Sequence, residues 1–260
     1  QRFDALLFLL QSQKSDVRQQ AVEFLGESED PRAVEPIMAL LKDPEPDVRQ
    51  QVAAALGKLA DPRSLSPLLN TLEDENYLVR ATAVEAIAQL STDLDDTQIL
   101  ELLCHHLRQD TSYLVRATLA EVLGGFPGER SRDALTAALD DPDRWVRTQV
   151  AQSLSRIDPE TRLWPLLSEL NAEDQALRLS AVERLGRLGD SRALPFLEHA
   201  LQSDLAPVRE AVITALGRLQ DPRAIEILIQ AALLPDGELM REKILVSLKL
   251  LGEEQVLPAL

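Results

Sequence analysis

Residues 30–59 read Asp-Pro-Arg-Ala-Val-Glu-Pro-Ile-Met-Ala-Leu-Leu-Lys-Asp-Pro-Glu-Pro-Asp-Val-Arg-Gln-Gln-Val-Ala-Ala-Ala-Leu-Gly-Lys-Leu. Two helices are written in this stretch. Asp30 offers an N-cap acceptor, and Pro31 follows where a helix has no use for the missing N–H. Ala33, Val34, Ile37, Leu40 and Leu41 then recur at helical spacing, giving a first helix, A. After Arg49, the small and apolar residues Val52, Ala53, Leu56 and Leu59 form the stripe of a second helix, B.

The same unit recurs along the whole chain. An apolar residue followed by arginine appears as Val17-Arg18, Val48-Arg49, Val79-Arg80, Val115-Arg116, Val146-Arg147, Leu177-Arg178, Val208-Arg209 and Met240-Arg241, at intervals of 31, 31, 36, 31, 31, 31 and 32 residues. An aliphatic residue stands seven positions after each arginine, and glycine or another small residue follows it in most copies, as at Gly26, Gly57, Ala88, Gly124, Ser155, Gly186 and Gly217. Asp61-Pro62-Arg63 and Asp221-Pro222-Arg223 repeat the cap of Asp30, and Asp190-Ser191-Arg192 keeps it without the proline. Pro36, Pro67, Pro165 and Pro195 fall early in helix A, where they are expected to bend it more than end it.

The phrase from Asp30 to Arg49, closed by residues 53–59, resembles the short HEAT repeat of the phycobilin-lyase-like class, and the likeness covers essentially the whole sequence. The resemblance implies an all-α fold, a right-handed α-α superhelix of about eight helix pairs. A helix pair cannot bury both of its apolar faces alone, so it must stack on its neighbours. The expected organisation is one solenoid domain over 1–260, with units near 1–28, 29–59, 60–90, 91–126, 127–157, 158–188, 189–219 and 220–251 and a partial unit at 252–260. Both ends lie inside apolar-periodic segments and read as interrupted.

Composition narrows the function. Apolar residues make up 45% but aromatics only 3%, as suits helices packed through Leu, Ala and Val. A net charge of -16 repels phosphate backbones and anionic lipid, so nucleic acid and membrane insertion are not expected. A HEAT-fold DNA glycosylase, which needs a basic groove, is disfavoured on the same ground. A single cysteine, Cys104, excludes a disulfide framework and fits a reducing compartment, so the chain reads as cytoplasmic. No phosphate-binding glycine loop, nucleophile elbow or zinc-protease motif occurs.

Four groups of side chains stand out. The repeated arginines, with Asp16, Asp47 and the capping aspartates near them, read as inter-repeat ion pairs that hold the stack in register. At the start of helix B in repeats three to five, Tyr77, Leu78, Tyr113, Leu114, Arg144 and Trp145 replace the small or polar residues of the other copies, a composition typical of interface hot spots. Along helix B, Gln20, Gln51, Thr82, Thr118, Gln149 and Ser180 form a neutral strip, Glu23, Glu85, Glu121 and Glu183 an acidic column, and Arg156, Arg187 and Arg218 a basic one. Such a groove suits a charged segment laid along it, although Glu183 and Arg187 are also an ordinary helical pair.

Cys104, His105 and His106 are the only metal-like cluster. Consecutive helical residues point about 100° apart, so these three do not converge on one ion unaided, and the expectation is a partly buried thiol beside surface histidines. The resulting reading is a non-enzymatic scaffold or chaperone-like adaptor without a cofactor, binding another protein through the helix-B groove and the aromatic edge. The resemblance adds a second reading, an accessory subunit of a bilin lyase or isomerase that handles linear tetrapyrroles on phycobiliproteins.

Overall fold

In a computed structural model that describes residues 2–90, 97–203, 205–233 and 237–252, every regular element is a helix. The contacts divide the chain into two compact units, residues 1–134 and 135–260. The first holds α1 (Arg2–Leu9), α2 (Ser15–Gly26), α3 (Val34–Met38), α4 (Pro46–Leu59), α5 (Leu65–Thr71), α6 (Tyr77–Leu90), α7 (Thr97–Gln109) and α8 (Tyr113–Leu123). The division falls within α9 (Glu129–Ala137). The second unit continues with α10 (Arg144–Ile157), α11 (Leu163–Leu170), α12 (Gln175–Leu188), α13 (Leu194–Ser203), α14 (Ala206–Leu219), α15 (Arg223–Ala232) and α16 (Gly237–Leu251). Odd numbers are A helices and even numbers B helices, eight pairs among the described residues. The long connection of the fourth repeat, residues 91–96, and most of the partial last unit, 253–260, lie outside the described residues.

The capping aspartates do what their position suggests. The carboxylates of Asp30, Asp61 and Asp190 accept the N–H of Arg32, Arg63 and Arg192 at 3.0, 2.9 and 3.0 Å. Each opens a single 3-10 turn, Pro31–Ala33, Pro62–Ser64 or Ser191–Ala193, that runs into α3, α5 or α13. The early prolines fit this arrangement without ending helix A. Pro36, Pro67, Pro165 and Pro195 occupy the second or third residue of α3, α5, α11 and α13, so the α-helix begins around the proline, before a full ladder exists to be broken. Trp164, fully buried beside Pro165, carries the Arg192 guanidinium 4.8 Å above its ring.

The core of each unit is built from repeating columns. Leu25, Leu56, Ile87 and Leu123 in the first unit, and Leu154, Leu185 and Leu216 in the second, are completely buried. Removing such a side chain from water stabilises the fold by about 1.5–3 kcal/mol. The next column sets how close neighbouring B helices come. A Cβ at Gly26 would lie 2.7 Å from Ala55 Cβ, and one at Gly57 or Gly186 would lie 2.9 Å from the Cα of Ala86 or Ala215. Gly217 faces Ser247 in the same way, and the Ser247 hydroxyl donates to the Ile213 carbonyl at 2.8 Å. At these steps, α2 with α4, α4 with α6, α12 with α14 and α14 with α16, the B helices therefore pack backbone against backbone, while successive A helices touch far less. At the glycine steps of each unit the B layer is the tight one.

This contact reverses an ordinary expectation. Replacing a helical glycine by alanine usually stabilises by about 1 kcal/mol through helix propensity. At Gly57 the added methyl meets backbone, and overpacking costs about 1–3 kcal/mol. Gly57→Ala is thus expected to lower the thermal midpoint followed by circular dichroism; a raised midpoint would mean that the B helices have room to spare.

Candidate functional site

The arginines of the repeat are structural clamps. In Arg18, Nε and Nη2 donate to the two carboxylate oxygens of Asp43, both at 2.7 Å, and Nη1 donates to the Ser12 carbonyl at 2.8 Å. Arg49 grips Asp74 in the same way at 2.7 and 2.9 Å, with Nη1 on the Asp43 carbonyl at 2.9 Å. Arg80 holds Asp110 at 2.7 Å through both nitrogens, with Nη1 on the Asp74 carbonyl at 2.8 Å. One guanidinium thus ties the A–B loop of its own repeat to that of the next. Side-chain exposure in these three pairs is at most 12%.

The inter-repeat pairing matches the sequence reading, but the carboxylates are different ones. Asp30, Asp61, Asp190 and Asp221 pair with Arg32, Arg63, Arg192 and Arg223 two residues on, within their own caps. The ladder instead uses Asp43, Asp74 and Asp110, which lie 25 or 30 residues beyond their arginines. A column of aspartate at that separation was the signal available in the sequence.

Burial alone would raise the Asp43 carboxyl, but the hydrogen bonds from Arg18 and from the Glu45 N–H outweigh it and hold the group below its ordinary 3.8. Asp110 is lowered against burial by Arg80 and the Ser112 N–H. Both folded values lie below the unfolded one, so the stabilisation is complete above about pH 4 and is lost as pH falls through the depressed values. Asp43→Asn leaves the Arg18 charge without its counter-ion, at a cost of roughly 3 kcal/mol at neutral pH. Chemical denaturation should show that deficit at pH 7 and a smaller one at pH 3; an equal deficit at both would mean that charge is not what the pair contributes.

The aromatic residues are exposed. Tyr77 opens α6 and Tyr113 opens α8, so both stand at the same end of neighbouring B helices in the first unit, 47% and 52% exposed. Leu78 beside Tyr77 is exposed, and Leu114 beside Tyr113 is half-buried. Trp145, 56% exposed, belongs to the second unit, where the Asp143 carboxylate caps α10 through the Trp145 N–H at 2.8 Å. Arg144 is exposed but engaged: its Nε donates to the Asn171 carbonyl at 2.6 Å, and its Nη2 to the Ala172 carbonyl, at the end of α11.

The polar columns of helix B also face solvent. In the first unit, Asp16, Gln20, Glu23, Asp47 and Gln51 line an open cavity of about 410 Å³ between α2 and α4. Gln50 reaches across to the Thr82 hydroxyl at 3.3 Å. Desolvation, and after it the like charge of Glu121 one repeat on, holds the Glu85 carboxyl above its ordinary value. Arg156, Arg187 and Arg218 are exposed in the second unit. Arg187 sits 3.3 Å from Glu183, and Arg156 donates to the Ser153 hydroxyl at 3.0 Å.

Cys104, His105 and His106 diverge. Cys104 is buried and, with exposed His105, lines a cavity of about 500 Å³ beside Arg108 and Arg130. His106, expected on the surface, is buried on the other side of α7, its Nε2 3.6 Å from Glu73 of the preceding A–B loop. Burial pushes the Cys104 thiol up and the His106 imidazole down, the reverse of what an activated thiolate and a protonated histidine require. Among the described residues, no three His, Cys, Asp or Glu side chains are grouped to hold a metal ion.

The family model for HEAT repeats matches residues 3–88, 100–163 and 163–249. The chain belongs to the HEAT-repeat family. Solved HEAT-like structures agree with the fold. The YibA protein of Escherichia coli is 23% identical, with 96% of this HEAT chain and 92% of that one covered and a TM-score of 0.54. The complex of CpcE and CpcF of phycocyanin lyase from Nostoc sp. is 21% identical over 87% and 92%, with a TM-score of 0.52. A search of curated protein sequences gives no significant match. No helix among the described residues of this HEAT chain is long and apolar enough to cross a membrane.

Proposed function

We propose that this HEAT-repeat chain is a non-enzymatic, protein-binding scaffold or chaperone-like adaptor. The observation that carries the reading is the pair Tyr77 and Tyr113, half exposed at matching positions of adjacent B helices, where the first two repeats have Ser15 and Pro46. The stack does not need them, since their neighbours Val79 and Val115 already fill the core. Exposed, rigid aromatics with an apolar neighbour are what a partner's side chains bury against.

The partner that fits is a protein segment with apolar and basic residues. Its apolar side chains would rest on Tyr77, Leu78 and Tyr113, and its cations would meet the column of Glu23, Glu85 and Glu121. The Glu85 carboxyl is raised first by desolvation and then by the like charge of Glu121, and a bound cation would relieve that second contribution. In the second unit, Trp145 and the exposed Arg156, Arg187 and Arg218 offer a further surface of opposite sign.

Affinity capture identifies the partner, and a Tyr77→Ala/Tyr113→Ala double variant tests the surface. The variant is expected to lose at least tenfold in affinity for that partner with its helical circular dichroism intact, and wild-type binding should weaken as salt rises. Wild-type affinity in the variant would remove the aromatic edge from the reading. An accessory role in tetrapyrrole handling shares the fold with its lyase relatives, and a spectral shift on mixing the chain with a linear tetrapyrrole would favour it instead.

A further inference from the structure

The arginine–aspartate ladder breaks at Ala172. Asp43 and Asp74 stand 25 residues after Arg18 and Arg49, and the residue at that distance from Arg147 is alanine. Ala172 nevertheless has the backbone of a ladder position. Its N–H donates to the Glu169 carbonyl at 3.0 Å, as that of Asp43 donates to Leu40 at 3.0 Å. Its carbonyl accepts Nη1 of Arg178 at 2.8 Å, as that of Asp43 accepts Nη1 of Arg49 at 2.9 Å.

Arg147 likewise keeps the ladder pose. Its Nη1 donates to the carbonyls of Asp141 at 2.8 Å and Pro142 at 3.1 Å, and the residue is only 8% exposed. Among the described residues its Nε and Nη2, the edge that grips a carboxylate in Arg18, Arg49 and Arg80, meet no acceptor. Arg147 as a whole is largely buried, and no carboxylate among the described residues grips its Nε and Nη2, so a fold that retains this arginine has a use for it. Beside this edge lies a cavity of about 320 Å³ within the second unit, lined by Arg144, Arg147, Asn171, Phe196, His199 and Gln202.

We propose that this cavity binds a carboxylate ligand, whose two oxygens take the positions that the ladder aspartate holds in other repeats. The fork of Arg147 presents Nε and Nη2 side by side, the geometry that matches a planar carboxylate. Arg144 adds positive charge at the rim, and buried Phe196 gives the ligand's carbon chain an apolar wall. Burial weakens Arg147's hold on its proton, and the nearby carboxylates of Asp141, Asp143 and Asp140 act against that. The same three negative charges make a dianion such as phosphate a poorer occupant than a single carboxylate.

The test uses the whole chain and two carboxylate probes, with ionic strength held constant by chloride. Butyrate stands for a free carboxylic acid, and N-acetyl-glutamate N-methylamide for a carboxylate on a partner's side chain; the tighter of the two identifies the source. Wild-type protein is expected to bind at least one of them by calorimetry and to show a raised thermal midpoint in its presence, with no comparable effect of phosphate. Ala172→Asp rebuilds the ladder, so it should raise the midpoint in chloride alone and reduce carboxylate affinity at least tenfold. A titration of the wild-type Arg147 Nε–H resonance by NMR gives the same answer without a variant, since that proton should shift on binding. No binding of either probe, phosphate binding as tight as carboxylate, or unchanged affinity in Ala172→Asp would each overturn the proposal.

Discussion

A guanidinium fork closed on the carboxylate of the next repeat is the interaction on which the rest of this structure depends. Apolar burial drives helix pairs together but is indifferent to register, because Leu, Ala and Val pack at many offsets. Arg18 on Asp43 is not indifferent: two hydrogen bonds of 2.7 Å, with a third to a backbone carbonyl, are met at one offset only. A slip would leave charge buried without a counter-ion, which is far worse than a slightly misfitted leucine. In the first unit the ladder therefore converts a greasy stack into one with a defined step, and the surface columns of that unit inherit their alignment from it.

That alignment separates structural columns from available ones. Positions occupied by the arginine, by the leucine seven residues on and by the small residue after it are spent on the stack. The first residues of helix B and its solvent-facing polar positions are not, and the departures from the repeat collect there: Tyr77, Tyr113 and Trp145, together with runs of acid or base. In a repeat protein, a departure at a position the stack does not use is therefore more informative than any conserved motif position, whose role is the same in every copy.

Much of this was legible in the sequence because the repeat averages out local ambiguity. Helix pairing, the aspartate caps and the exposure of Tyr77, Tyr113 and Trp145 follow from period and position. What escaped were features set by tertiary contact. The ladder partners lie 25 or 30 residues away, and the nearer aspartates were plausible substitutes until their own caps were seen to claim them. His106 resembles a surface residue in sequence, yet the turn of α7 carries it toward Glu73. The meaning of Ala172 was invisible for the same reason: an alanine is notable only once an arginine is known to be waiting for an aspartate.

The contact of Gly26, Gly57, Gly186 and Gly217 with their neighbours has one more consequence. Because helix A is free to splay, the thickness of a single side chain in this column acts as a shim between the wedges of an arch. Glycine lets adjacent pairs close up, whereas Ala88 and Ser155 put a methyl or a hydroxymethyl group into the same column. Local curvature is thereby encoded separately from both the hydrophobic interior and the recognition surface, so evolution or design can reshape the arc one pair at a time without rewriting either.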